Sequence, residues 1–128
     1  EDLPAFLDGL YDGLRASRAK SPLRAMAIPH LDLRFGGRTA ARALAGLGER
    51  FAGDTVVILG VGHQLGRRPY ALTRKAFETP LGTVPLAKDL YDRVVAKTGS
   101  WVEEEELVHR SEHSVPMRVL NILEKWAE

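Results

Sequence analysis

Thr55-Val-Val-Ile-Leu-Gly-Val-Gly-His63 is the stretch of this 128-residue chain that predicts the fold most clearly. Its first five residues are β-branched or leucine, and a continuous apolar run flanked by glycine is typical of an interior strand of a parallel sheet. His63 follows closely after the predicted strand. In open α/β sheets, ligands bind at the carboxyl ends of the strands. The stretch therefore predicts an α/β fold with a ligand site beside His63.

A second short apolar run, residues 24–28, is terminated by a proline and followed at once by His30. Between the two runs, Arg38–Gly48 is rich in Ala and Leu and predicts a crossover helix, with Phe35-Gly36-Gly37 as the flexible turn before it. A right-handed β-α-β crossover places its strands parallel, usually as neighbours about 4.8 Å apart, with both carboxyl ends at one edge. We therefore expect His30 and His63 to lie close enough to share one metal ion, although each imidazole could instead cap its own strand.

The rest of the chain predicts helices packed around this sheet. Apolar residues at helical spacing mark Leu3–Ser17, Leu86–Thr98 and Met117–Ala127, while Glu103–Glu106 is an acidic run expected to form a solvated face. There are no repeats or linkers. We predict a single α/β domain over residues 1–128, with a predominantly parallel sheet and flanking helices.

Composition excludes several classes of function. Eighteen basic and seventeen acidic side chains give a formal charge of +1, which lacks the basic surplus of nucleic-acid binders and polybasic membrane anchors. The absence of cysteine excludes disulfides and thiolate ligands and is consistent with a reducing cytoplasm. No apolar stretch approaches the about twenty residues that span a bilayer. We expect a cytoplasmic protein that binds neither nucleic acid nor membranes.

The remaining histidines, His109 and His113, are four residues apart and would share one face of a helix. Arg110 follows the first of them where a zincin motif requires glutamate, so the zincin reading is excluded. Ser114-Val115-Pro116 predicts that a helix begins just after His113, which leaves the pair on the preceding turn. Two surface histidines are the alternative. His113 is the better candidate because apolar sequence follows it.

Asp32 lies two residues after His30 and, in an extended loop, would point in the same direction. It is a candidate carboxylate ligand, or a partner that orients the imidazole. A turn-capping aspartate is an equally supported alternative. We therefore keep Asp32 as a candidate catalytic residue, together with His113.

Four segments resemble the motifs of one family, the Memo-like proteins, in the right order and over nearly the whole chain. They are Ala27–Gly37, which is similar to the first, Pro-His-containing motif; Val57–His63, similar to the second histidine motif; Tyr70–Gly82, similar to the stretch before the third; and His109–Ser114, which matches Glu-His-Ser. The variant with Asp32 and Arg34 in the first motif resembles the microbial branch called AmmeMemoRadiSam system protein B.

The resemblance implies a partial class III extradiol dioxygenase-like fold, a group that holds non-haem Fe(II) with two histidines and a carboxylate. By the same resemblance, the ligand histidines correspond to His30 and His63, and His113 is a pocket residue or third ligand. Fe(II) suits such nitrogen and oxygen ligands, while zinc or copper would also accept imidazole. The branch further implies a functional association with AMMECR-like and radical-SAM proteins.

The chain departs from the family pattern in three ways. After Val115 the family usually continues with an acidic residue and an apolar strand, whereas Pro116 and Met117 follow here. Members are considerably longer, and their later cysteine has no counterpart. We therefore expect residues 1–128 to represent the N-terminal part of the family's domain.

Three hypotheses of function follow. The first is a metal-dependent oxidoreductase related to extradiol dioxygenases, in which His30 and His63 hold iron. The second is a non-catalytic module that keeps the fold and binds a small molecule or protein partner. The third is hydrolysis or lyase chemistry at a divalent metal, with His113 as general base. Because the predicted sheet has an unprotected edge and the last helix an uncovered face, we also expect an oligomer.

Overall fold

The computed structural model describes residues 2–14, 25–46, 55–64 and 66–126. These contain four α-helices and one β-hairpin, with two 3-10 helices before the last helix. In chain order they are α1 (Leu3–Tyr11), α2 (Leu33–Ala45), β1 (Phe77–Thr79), β2 (Gly82–Val84), α3 (Lys88–Thr98), the 3-10 helices Ser100–Glu103 and Glu106–Arg110, and α4 (Ser114–Trp126).

The sheet differs from the predicted one. Within the described ranges, the only strands are β1 and β2, which pair antiparallel with Phe77 opposite Val84 around a turn at Pro80. The predicted strands at residues 24–28 and 55–59 are, where described, segments without regular secondary structure and without a ladder partner. No described strand lies beside them, so the apolar side chains of residues 55–61 stay largely exposed instead of buried.

Helix α2 begins at Leu33, five residues before the predicted start, and it contains the glycines that the sequence assigned to a turn. Close packing explains their place in the helix. A Cβ at Gly36 would lie 2.8 Å from the Cβ of Leu31, and one at Gly37 would lie 2.8 Å from Cδ1 of Leu10. The predicted turn at residues 35–37 is therefore wrong, because tertiary contacts that only glycine permits outweigh its poor helix propensity.

The core lies where α1, α2 and α4 meet. Its apolar side chains are almost completely buried: Leu7, Leu33, Ala40, Ala41, Leu44, Val115 and Val119. Helix α4 packs against α1, α2 and the hairpin. The last helix, which the sequence predicted to have an uncovered apolar face, therefore has neighbours within the described residues. Among the described helices, none combines the length and apolarity needed to cross a bilayer.

The ends of three helices match the sequence predictions. Asp2 occupies the N-cap position of α1, although its side chain makes no capping hydrogen bond. Helix α3 ends at Thr98, where Gly99 adopts a φ of 90° that favours glycine. Helix α4 begins directly after His113, as predicted. The first two helices end earlier than predicted: α1 ends at Tyr11 and not at Ser17, and α2 ends at Ala45 with Gly46, not Gly48, as its C-cap.

The acidic run Glu103–Glu106 is not only a solvated face. It contacts the basic loop, defined here as residues 66–75, through all four of its carboxylates. Glu103 and Glu104 form ion pairs with Arg74 and Arg68, while the next two carboxylates accept hydrogen bonds from backbone N–H groups of the loop. The acidic run therefore holds the basic loop against α3 and the 3-10 helices.

Candidate metal site

Three segments that are distant in the sequence bring histidines to one place. His30 lies in the irregular segment before α2, His63 lies in the turn after residues 55–62, and His113 directly precedes α4. Their ring centroids are 5.1 Å apart for His30 and His63, 5.0 Å for His63 and His113, and 6.1 Å for His30 and His113. The expected meeting of His30 and His63 is thus present, and His113 joins them.

The N-terminus of α4 fixes the segment that ends in His63. The Ser114 hydroxyl donates a hydrogen bond to the carbonyl oxygen of Val61 at 3.1 Å. Gly60 lies so close to this helix that a Cβ there would be 2.5 Å from both Ser114 Oγ and Val115 Cγ2. Contacts with α4, rather than a described β-ladder, therefore position His63.

Glu112 connects two of the three histidines. Its carboxylate is buried and lies 3.0 Å from His63 Nδ1, and it also accepts the backbone N–H groups of His63, His113 and Ser114. Burial raises the pKa of Glu112, but the hydrogen bonds from Ser114 and His63 outweigh this effect and give a pKa of about 2. Glu112 is therefore an anion at neutral pH, placed directly behind the His63 ring.

The other two sequence candidates have different surroundings. Asp32 is the N-cap of α2, and its Oδ1 accepts the backbone N–H of Arg34 at 2.9 Å, which is the capping arrangement that the sequence left open. His109 lies on the second 3-10 helix, where its Nε2 is 3.0 Å from the carbonyl oxygen of Ala71. The histidine cluster contains neither residue.

The donor set of the cluster fits a transition-metal ion. One ring nitrogen from each of His30, His63 and His113 lies within 4.8 Å of the others. Two imidazoles on one zinc ion, each bound at about 2.0–2.1 Å, have nitrogens roughly 3–4 Å apart. Rotation of the side chains can close the remaining gap between the ring nitrogens. Such rotation is open to His63 and His113, whose side chains are 38% and 56% exposed. Three neutral imidazoles with an open, solvent-facing side suit zinc, copper or iron.

Sequence reasoning missed Glu112 as a functional residue. Its only local signal is its position immediately before His113 in Glu-His-Ser, where the histidine is the more obvious candidate ligand. The contact with His63 spans 49 positions of the chain, so no local periodicity reports it.

Comparison with known proteins relates the whole chain to one family. The family model described as Memo-like protein matches residues 1–127. A MEMO1 family protein of Methanosarcina mazei is 33% identical over 119 residues, which cover 93% of this chain and 42% of that relative. A MEMO1 family protein of Methanopyrus kandleri is also 33% identical, over 76% of this chain and 34% of its own length.

A third relative, a MEMO1 family protein of Thermococcus onnurineus, is 28% identical over 93% of this chain and 41% of its own length. The chain thus spans between about a third and two fifths of the length of these curated relatives. No solved structure matches the chain at a significant level.

Proposed function

The chain belongs to the Memo-like protein family, and from this membership and the histidine cluster we propose that it is a metal-binding protein whose ion is held by His30, His63 and His113. The observation that carries the proposal is the convergence of three imidazoles from three separate segments. A random surface arrangement gives no reason for their ring nitrogens to lie within 4.8 Å of one another.

The finer form of this proposal is a non-haem iron oxidoreductase on a class III extradiol dioxygenase-like, largely parallel fold. The arrangement supports it in two ways: nitrogen donors suit Fe(II), and the exposed side of the cluster leaves room for a substrate. Bound iron would supply redox chemistry with dioxygen. His30 and His63 would then hold the ion, while His113 would complete the ligand set or act as a general base beside it.

Metal analysis tests the proposal directly. Protein purified without oxygen and loaded separately with Fe(II), Zn(II) and Cu(II) is expected to retain about one ion per chain. His30→Ala and His63→Ala should lose it, whereas His109→Ala should keep it because His109 contacts Ala71 and not the cluster. Metal-free wild-type protein after loading with all three ions would overturn the proposal. The ion retained most tightly identifies the chemistry.

The partners and location expected from the sequence remain part of the proposal. We propose a cytoplasmic, bacterial protein that works with AMMECR-like and radical-SAM proteins, takes a small-molecule substrate, and binds neither nucleic acid nor membranes. Co-purification of the tagged protein with these two partners from its native cells is the measurement. Recovery without either partner would contradict the association.

A specific observation favours a second candidate function, a non-catalytic binding module. Large apolar side chains are exposed along one segment, at Val57, Leu59 and Val61, at 66%, 84% and 45%. Exposed apolar surface of this kind marks interaction sites, and it also supports the expected oligomer. Light scattering over a range of protein concentrations tests the oligomer. Partner binding that survives the double variant His30→Ala/His63→Ala would favour the module over the metal protein.

A further inference from the structure

Glu112 accepts hydrogen bonds from three backbone N–H groups and also contacts an imidazole ring. Both of its oxygens lie 3.0 Å from His63 Nδ1, and Oε2 also accepts the His63 backbone N–H at 2.9 Å. Oε1 accepts the backbone N–H groups of His113 and Ser114 at 2.9 and 3.0 Å. Glu112 is only 8% exposed. One buried carboxylate therefore holds the backbone of two clustered histidines and the side chain of one.

The chemistry of this contact determines which nitrogen of His63 carries the proton. An ionised carboxylate only accepts hydrogen bonds, so the Nδ1 atom facing it must be the donor. A neutral imidazole with its proton on Nδ1 has its lone pair on Nε2. Metal-binding histidines are commonly fixed in this way by a carboxylate behind the ring, which also makes the ligand nitrogen more basic.

We propose that Glu112 is a positioning residue that holds His63 in the Nδ1–H form, so that Nε2 is free to bind the metal ion. The proposal rests on the proposed function, since it assigns His63 as a ligand. A purely structural role for Glu112, limited to tying Ser114 and the start of α4 to the His63 segment, would not require any particular form of the ring.

The variant Glu112→Gln separates the two roles. Its amide can keep an oxygen toward the N–H groups of His113 and Ser114, while its NH₂ group replaces Oε2, loses the hydrogen bond from the His63 backbone N–H and donates toward His63 Nδ1. Because the amide oxygen at the Oε1 position still reaches Nδ1, the ring is expected to become a mixture of the Nδ1–H and Nε2–H forms. Glu105→Gln is the matched control, because Glu105 also accepts two backbone N–H groups, from Gly66 and Arg67, away from the histidines.

Proton–nitrogen correlation spectra of the imidazole rings measure this in metal-free protein, about two pH units above the ordinary histidine pKa of about 6.5. Wild type and Glu105→Gln should show His63 with its proton on Nδ1, and Glu112→Gln should show a substantial share of the Nε2–H form. Titration with Zn(II) should give a roughly 10- to 100-fold weaker affinity in Glu112→Gln only.

The two measurements fail in distinguishable ways. A wild-type His63 with its proton on Nε2 would overturn the positioning role, whether or not zinc binds, and this result does not require the variant to fold. An unchanged ring form or an unchanged zinc affinity in folded Glu112→Gln would overturn it as well. An Nδ1–H ring in a wild-type protein that binds none of Fe(II), Zn(II) and Cu(II) would instead support the assigned hydrogen bond and overturn the proposed metal function.

Discussion

The imidazole rings of His63 and His113 lie nearly parallel, with an interplanar angle of 16° and centroids 5.0 Å apart. The segment that ends in His63 is hydrogen-bonded to the start of α4, and His113 directly precedes that helix. One contact between two segments thus sets the distance between the two rings. The geometry of the cluster therefore depends on how closely these two segments approach, and that approach can be tested.

Gly60→Ala should separate them. The added Cβ would lie 2.5 Å from Ser114 Oγ and Val115 Cγ2, so these side chains must rotate or one of the two segments must shift. We expect the free energy of unfolding to fall by roughly 1–3 kcal/mol and the affinity for Zn(II) to fall with it. Chemical denaturation and zinc titration measure the two effects.

Gly9→Ala is the control for Gly60→Ala. Gly9 lies within α1, and a Cβ there would meet nothing within 4 Å. This variant should gain about 0.5–1 kcal/mol from the better helix propensity of alanine and bind zinc as wild type does. A Gly60→Ala protein as stable as Gly9→Ala would show that the close approach does not exist.

His109→Ala should affect stability without affecting the metal site. The substitution removes the contact between His109 Nε2 and the carbonyl oxygen of Ala71, which is worth about 1 kcal/mol. His113→Ala should do the reverse and lower metal content. Loss of the ion from His109→Ala, measured by metal analysis after dialysis, would place His109 at the site.

Tyr91 gives the fold a dependence on alkaline pH. Burial and, after it, the hydrogen bond to Glu103 raise the pKa of Tyr91 from 10.0 to about 12. Because the folded state favours the neutral phenol, its contribution to stability is complete below pH 10 and is lost as the pH rises toward 12. A spectroscopic titration of phenolate absorbance should show this late ionisation, and Tyr91→Phe should remove it.

Glu103→Gln tests the second cause of that shift. The Tyr91 hydroxyl and Arg74 lower the pKa of Glu103, while burial opposes them. The carboxylate therefore stabilises the fold above the ordinary pKa of a glutamate, and this contribution is lost as the pH falls below it. In Glu103→Gln, the ionisation of Tyr91 should move to lower pH. An unchanged Tyr91 titration would leave burial as the whole cause.

Two neighbours in the acidic run should differ in their contribution to stability. Glu104 pairs with Arg68 at the surface, where the side chains are 52% and 41% exposed, so Glu104→Ala should cost less than about 1 kcal/mol. Glu106 accepts the Thr73 hydroxyl and the backbone N–H of Arg74, so Glu106→Ala should cost about 2 kcal/mol. Equal costs in denaturant titrations would contradict this ranking.

The sequence predicted the parts of the site that depend on chain order. Two apolar runs, each followed by a histidine and joined by a helix, led to the expectation that His30 and His63 meet. Their centroids lie 5.1 Å apart. In the described residues they meet through contacts with α4 and not through the expected pair of parallel strands. The sequence Ser114-Val115-Pro116 likewise predicted where α4 begins.

The parts that depend on side-chain contacts between distant segments were not predictable. The glycines of α2 are a turn signal when only local propensity is considered, and their helical state follows from packing against Leu10 and Leu31. Four consecutive glutamates indicate a solvated face until the loop that they contact is known. The proposed role of Glu112 depends on its contact with His63, which lies 49 positions away in the chain.

The wide spacing of the three clustered histidines along the chain links ion binding to folding. An unfolded chain holds no two of them near enough to chelate an ion, so an ion bound by all three has little affinity for the denatured ensemble. Free metal at a hundred times its dissociation constant would then stabilise the native state by about 2.7 kcal/mol. The melting temperature of this chain should therefore rise with metal concentration, and a chelator that removes the ion should lower it.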